Sequence, residues 1–226
     1  MKFKKVNISK FLKMEDQIKN RERVTKFAEV NTSKKEVNNM LNLVNQEVVR
    51  LESRFLESAC GDGNFLIEIL NRKLKILVNK FKKNQYEFER NSIIAIGSLY
   101  GIDILNDNII HARERLFNKF CEGYNKLYKE KLDQSFIKSI NYIIEKNLVH
   151  GDALTLKKVN SDDPIIFPQW NIINDKVKRR DYSFANLIAY SPFEKGTLFS
   201  DLGEEVSIPK TEKDYGLIKF NEVYKQ

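Results

Sequence analysis

Arg54-Phe55-Leu56-Glu57-Ser58-Ala59-Cys60-Gly61-Asp62-Gly63-Asn64-Phe65 is the stretch that decides the fold. It opens on an apolar run that ends in an acid, crosses a loop with glycines two apart, and passes into Phe65-Leu66-Ile67-Glu68-Ile69-Leu70, whose apolar spacing is helical. The pattern predicts a strand, a tight loop and a helix from about Asn64 towards Phe81. Gly61 and Gly63 allow positive φ values and let the loop backbone approach a ligand. The helix start behind them presents unpaired N–H groups. Taken alone, the same pattern describes an ordinary strand-to-helix turn.

Downstream, Glu87 to Leu99 reads as an extra helix before a second strand, Leu99-Tyr100-Gly101-Ile102-Asp103-Ile104, which also ends in an acid. In nucleotide-binding sheets an acid there accepts the ribose hydroxyls; capping the helix that starts near Asp107 and Asn108 is the competing role. A long amphipathic helix follows from Asp107 to Leu132, with Leu116, Phe120, Tyr124, Leu127 and Tyr128 as its apolar stripe and Arg113, Glu114, Arg115 and Lys119 facing water. Phe136 to Lys146 is a further helix. Asn147-Leu148-Val149-His150-Gly151-Asp152-Ala153-Leu154 reads as a third strand ending in an acid. Upstream, Val37, Met40, Leu41, Val44 and Val48 recur at helical spacing behind Thr32 and Ser33, with Glu36 placed for a capping box. Residues 1–26 read as a loose or helical arm.

Together these phrases resemble the S-adenosylmethionine-dependent methyltransferases, and among them the amino-methylating DNA methyltransferases and short methylase subunits of restriction-modification systems. The usual first motif is an acid, Pro, two residues and Gly-x-Gly-x-Phe; Glu57 to Phe65 fits except that Ser58 replaces the proline. The resemblance implies an α/β, Rossmann-like methyltransferase fold: a mostly parallel twisted sheet flanked by helices, over residues 27–195, with an N-terminal helical arm (1–26) and a C-terminal tail (196–226). It implies S-adenosyl-L-methionine as cofactor. The loop of Cys60, Gly61 and Gly63 would run beneath the methionine part, Glu57 would face the ammonium group, and Phe65 would pack near the adenine. Asp103 would take the ribose hydroxyls and Ile104 would lie against the adenine. In the Gly-Asp-Ala-Leu phrase, Asp152 would accept from the adenine amino group, flanked by Ala153 and Leu154. Thr32 stands where the family carries a Thr-Pro segment that closes over the cofactor, although a plain capping role suits it equally. A dinucleotide-binding oxidoreductase would want a third glycine at the helix start, and Leu66 stands there.

The family's catalytic motif, Asn-Pro-Pro-Tyr or a near variant, is missing. The nearest candidate is Tyr190-Ser191-Pro192-Phe193 after an apolar segment from Phe184. It reads either as a contracted motif, with Tyr190 or Ser191 in the Asn position and Phe193 stacking on a flipped base, or as a strand or helix followed by a turn. The single Trp170 lies near Lys176, Lys178, Arg179 and Arg180, a set that suits a phosphate backbone and a stacked base, or else a hairpin tip with solvated charges.

Composition bounds the rest. The chain has 226 residues with 39 Lys and Arg against 31 Asp and Glu, a balance that favours a polyanionic partner. Fifteen Phe and nine Tyr against nine Gly and four Pro indicate a packed core. No apolar run is long enough to span a membrane, and no signal segment follows Met1, so the cytoplasm is the expected compartment. Two cysteines cannot form a disulfide scaffold. His150 lacks the partner set of a metal site, so no metal is expected. The expected activity is methyl transfer to an amino group of a DNA base, adenine N6 foremost, with a partner subunit for target recognition. The alternatives are a cofactor-binding subunit that has lost catalysis and a plain DNA-binding accessory protein.

Overall fold

The computed structural model describes residues 32–129, 131–189 and 210–226. The chain divides into two compact units, residues 1–44 and 45–226. In the first, helix α1 (Lys34–Leu43) carries the expected capping box: the Ser33 hydroxyl accepts from the Glu36 N–H at 3.3 Å, and Glu36 Oε2 accepts from the Ser33 N–H at 3.1 Å. The helix expected to run on to Val48 instead stops before Val44, and a short α2 (Asn45–Val48) opens the second unit. Val37, Leu41 and Val48 are buried, whereas Met40 and Val44 are exposed. The arm expected over 1–26 lies outside the described residues.

The second unit is mixed α/β. Strands β1 (Phe55–Glu57), β2 (Leu99–Asp103) and β3 (Leu148–Asp152) are parallel neighbours in that order, and β4 (Lys157–Lys158) runs antiparallel beside β3. Parallel strands need a crossover. Helices α3 (Asn64–Phe81) and α4 (Gln85–Gly97) make the first, and α5 (Asn106–Tyr128) and α6 (Gln134–Asn147) make the second. After β3 there is no such crossover. A short polar connection leads to a hairpin, β5 (Ile166–Ile173) and β6 (Lys176–Ser183), whose two-residue turn places Asn174 and Asp175 at φ of 46° and 63°. Asn and Asp tolerate that conformation better than other side chains do. Strands β7 (Lys213–Asp214) and β8 (Ile218–Lys219) both pair with β6. The expected α/β class with helices flanking a sheet is present, and that sheet is mixed, with antiparallel β4 beside three parallel strands. Among the described residues parallel pairing is confined to β1–β3, and a separate antiparallel sheet follows.

The apolar stripes of α5 and α6 fall where their periodicity puts them. Leu116, Phe120, Tyr124, Ile140, Ile143 and Ile144 are buried, and Phe120, Tyr124 and Phe136 pack ring on ring at 5.3 to 5.9 Å between centroids. Each such ring contributes roughly 2–3 kcal/mol on leaving water. On α3 a lysine joins the core. The fully buried Lys73 ammonium donates to the carbonyls of Leu51 (2.9 Å) and Ser53 (2.7 Å) and to Ser98 Oγ, tying the approach to β1 to the end of α4. Burial pushes its pKa down to about 7. Arg113, expected to face water, instead donates to the Leu148 carbonyl at 2.6 Å and the Glu145 carbonyl at 3.0 Å, fixing the start of β3. The segment from Phe184 forms α7 (Phe184–Ala189), and in the tail residues Phe220–Lys225 form a 3-10 helix that buries Phe220 and Val223. Among the described residues no helix is long and apolar enough to cross a membrane, and no cluster of His, Cys, Asp or Glu could hold a metal.

Candidate cofactor site

Strand register brings the three acids together. Glu57 pairs with Gly101 and Asp103 pairs with His150. Residues two apart share a face, so Glu57, Asp103 and Asp152 all project from one face of the parallel sheet, each stepped two residues beyond the last. With strands about 4.8 Å apart and about 3.3 Å of rise per residue, the outer two backbone positions are about 16 Å apart along a diagonal. That span suits a nucleoside bearing an amino-acid arm. The other face of β2 is closed: Tyr100 and Ile102 pack with Ile165, Phe167 and Phe184, and the Tyr100 hydroxyl donates to the Pro168 carbonyl at 2.9 Å.

The glycine loop lies on the acid face. Gly61 and Gly63 take φ of 53° and 87°, and a Cβ at Gly63 would stand 3.2 Å from Ala112 Cβ of α5. Glycine is needed there both for the turn and for the close approach. Two side chains clasp this loop. Gly61 N–H donates to Asp103 Oδ2 at 2.8 Å. Arg115 of α5 donates to the Asp62 carbonyl at 2.6 Å and to Asn64 Oδ1 at 2.9 Å, and pairs with the Asp62 carboxylate at 2.9 Å. The water-facing role read for Arg115 is corrected. It spans the start of α3 from one turn of α5.

Asp103 is 8% exposed, and its Oδ1 accepts from the Leu105 N–H at 2.9 Å and from Asn108 Nδ2 at 3.3 Å. A carboxylate has about four acceptor positions. Three are used within the protein, leaving room for one further hydroxyl rather than the pair expected. Both roles weighed for this acid, holding the helix start and facing the site, fall on the same side chain. Glu57 differs: it is half-buried, its carboxylate makes no hydrogen bond or ion pair among the described residues, and burial raises its carboxyl above the ordinary range. A desolvated carboxylate lacking a partner attracts a cation. Asp152 Oδ1 accepts from the Leu154 N–H at 2.9 Å, an Asx turn that aims Leu154 outward, 93% exposed. Ile104 is also exposed, so two apolar side chains stand in water beside Asp103 and Asp152. His150 Nε2 lies 3.0 Å from the Ile104 carbonyl, which places a proton on that nitrogen and makes the residue a tether between strands.

Cys60 is 7% exposed with its thiol turned under the loop towards Gly101, and its N–H donates to the Ile102 carbonyl at 2.9 Å. Its thiol shapes the loop from below. Ala153 packs against the Tyr100 and Ile102 cluster rather than presenting a side chain to the acid face. Phe65 is half-buried in the first turn of α3. Thr32 precedes the cap of α1 in the separate unit of residues 1–44. Tyr190, Ser191, Pro192 and Phe193 lie outside the described residues.

The basic cluster divides by strand parity. Trp170 is buried with Nε1–H donating to Asn147 Oδ1 at 2.8 Å. Arg179 is 5% exposed, forked onto Asp181 at 2.7 Å through both Nε and Nη2, and ringed by Tyr142, Trp170 and Tyr215. These two are structural, which corrects their reading as DNA contacts. An aromatic cage this dry leaves the guanidinium no route to phosphate. Lys176, Lys178 and Arg180 emerge on the opposite face.

No protein family, curated protein or solved structure matches this chain.

Proposed function

We propose that residues 45–226 bind S-adenosylmethionine in a Rossmann-like half-sheet and act as a methyltransferase on an amino group of DNA, adenine N6 foremost. The observation that carries this reading is the diagonal of Glu57, Asp103 and Asp152 on one sheet face, with the glycine loop clasped beside the first two. The residues suit the cofactor. Glu57 offers an unpartnered carboxylate to an ammonium, Asp103 retains one acceptor for a ribose hydroxyl, and Ile104 and Leu154 offer apolar surface to a base. When bound, the cofactor supplies a methyl group on a sulfonium. Held by Glu57, Asp103, Ile104 and Leu154, it would offer that methyl to the target amine, whose proton would pass to solvent. The chain's contribution is to bind and orient, for which no side chain of unusual basicity is needed.

A second reading has its own support. Asp103 is engaged by three protein donors, and the sequence lacks Asn-Pro-Pro-Tyr, which favours a cofactor-binding subunit that recognises DNA beside a catalytic partner in a restriction-modification-type system. Calorimetry with S-adenosylmethionine tests what the two readings share. Binding is expected to be lost in Glu57→Gln and to strengthen as pH rises through the raised Glu57 pKa, because only the carboxylate holds the ammonium. No heat at millimolar ligand would remove both readings. Tritiated-methyl transfer to unmethylated DNA then separates them.

A further inference from the structure

The β5–β6 hairpin carries a face that the site above does not use. Trp170, Val177 and Arg179 fix its inner face against the helices. On the outer face register sets Gln169 opposite Arg180, Asn171 opposite Lys178 and Ile173 opposite Lys176, with Lys219 of β8 beside Lys176. Lys176 and Lys219 are exposed and make no ion pair among the described residues. Arg180 and Lys178 share Asp214, the acid on this face. Gln169 and Asn171 are half-buried, and neither amide side chain makes a hydrogen bond among the described residues.

We infer that this outer face, three strands wide with β7 and β8 on the far side of β6, docks along the major groove of duplex DNA through its edge strand β5, with Gln169 and Asn171 reading base edges and Lys176, Lys219 and Arg180 holding phosphates. The geometry suits the groove. Among the described residues β5 pairs only with β6 and forms the edge of this sheet, so it leads the face into a groove about 12 Å wide, where Asn or Gln pairs in bidentate fashion with adenine N7 and N6. Amides two residues apart on one strand sit about 6.6 Å apart, close to two base-pair steps. The positive side chains lie across and beyond the amides, where the backbone would run. Half-burial limits the freedom of both amides, so little ordering is needed on contact. Double-stranded RNA is disfavoured because its major groove is too narrow for side chains to read. The choice of duplex DNA rests on the methyltransferase reading; the surface itself does not depend on the cofactor site.

The test uses the full chain without cofactor and a labelled duplex of mixed sequence, followed by anisotropy across a salt series. Two neutralised phosphate contacts in Lys176→Gln/Lys219→Gln should reduce the slope of log K against log salt by about 1.8, which at about 0.1 M salt is a loss of up to about 60-fold. Lys75→Gln/Lys129→Gln, at exposed lysines elsewhere, should bind as wild type. Gln169→Ala/Asn171→Ala should keep mixed-sequence affinity yet flatten the sequence preference selected from a randomised duplex. Circular dichroism melts confirm that each variant is folded. The inference is overturned if wild type ignores the duplex or binds single strands equally well. It is also overturned if the two lysine pairs behave alike, or if the amide variant selects the wild-type sequence. None of these results touches cofactor calorimetry, so the two proposals fail separately.

Discussion

Asp103→Asn tests whether one carboxylate holds the glycine loop closed. The amide is nearly isosteric, and its oxygen can still accept from the Leu105 N–H and Asn108 Nδ2. Its NH2 group then replaces Oδ2 and meets the Gly61 N–H, a donor facing a donor at 2.8 Å. Flipping the amide moves the same conflict to Leu105 and Asn108. Losing a hydrogen bond to a charged acceptor costs about 1.5–3 kcal/mol, and with the side chain 8% exposed little of this is screened. At about 2–4 °C per kcal/mol for a chain of this size, Tm should fall by about 3–12 °C. Calorimetric melts of wild type, Asp103→Asn and Asp162→Asn make the comparison. Asp162 is a control because its side chain is 99% exposed and pairs with Lys157, a contact worth about 0–1 kcal/mol. Exchange of the Gly61 amide proton should be slow in wild type and fast in Asp103→Asn. If Asp103→Asn melts with the control and Gly61 stays protected, the clasp does not exist.

Lys73→Met strands the Leu51 and Ser53 carbonyls and should destabilise the fold by about 2–3 kcal/mol. Burial lowers the folded-state pKa from 10.5 to about 7, so between those values the unfolded chain binds the extra proton and wild-type stability rises with pH. The difference between wild type and Lys73→Met in denaturant titrations should therefore widen from pH 7 upward; a constant difference would refute the lowered pKa. At Gly101 an added Cβ would lie 3.1 Å from both Cys60 Sγ and Leu66 Cδ1, so Gly101→Ala should cost about 1–3 kcal/mol, with part recovered in Gly101→Ala/Cys60→Ala. Equal effects in the single and double variants would place Cys60 elsewhere. Burial, with the Asp103 and Glu57 carboxylates nearby, pushes the Cys60 thiol well up, whereas Cys121 is only half-buried. Peptide mapping after mild alkylation should show Cys121 labelled first and Cys60 only on unfolding; early labelling at Cys60 would mean the loop opens.

What was legible in the sequence was local or periodic. The loop of Gly61 and Gly63, the acids at Glu57, Asp103 and Asp152, and the stripes of α5 and α6 depend on neighbours within a turn or a strand, and the helices form within a few residues of where their apolar spacing ends. The hairpin was harder. Trp170 and Lys176 to Arg180 read as one basic aromatic cluster, yet alternation along two paired strands divides it into a buried cage and an exposed face. Only the register, set by the turn at Asn174 and Asp175, decides which residue falls on which side.

Arg113 and Arg115 show the deeper limit. Both sit on the polar flank of an amphipathic helix, and charge alone assigns them to water. The guanidinium, however, stands at the end of a long apolar stem, so its position is fixed by whatever acceptor lies within reach of the helix. For Arg115 that acceptor is the backbone of a loop 53 residues earlier, and for Arg113 a carbonyl 35 residues later. Helical periodicity describes one element and carries no information about what the next one brings alongside. The clasp on the glycine loop therefore belongs to the tertiary fold, and Arg115→Met should loosen that loop while leaving α5 intact.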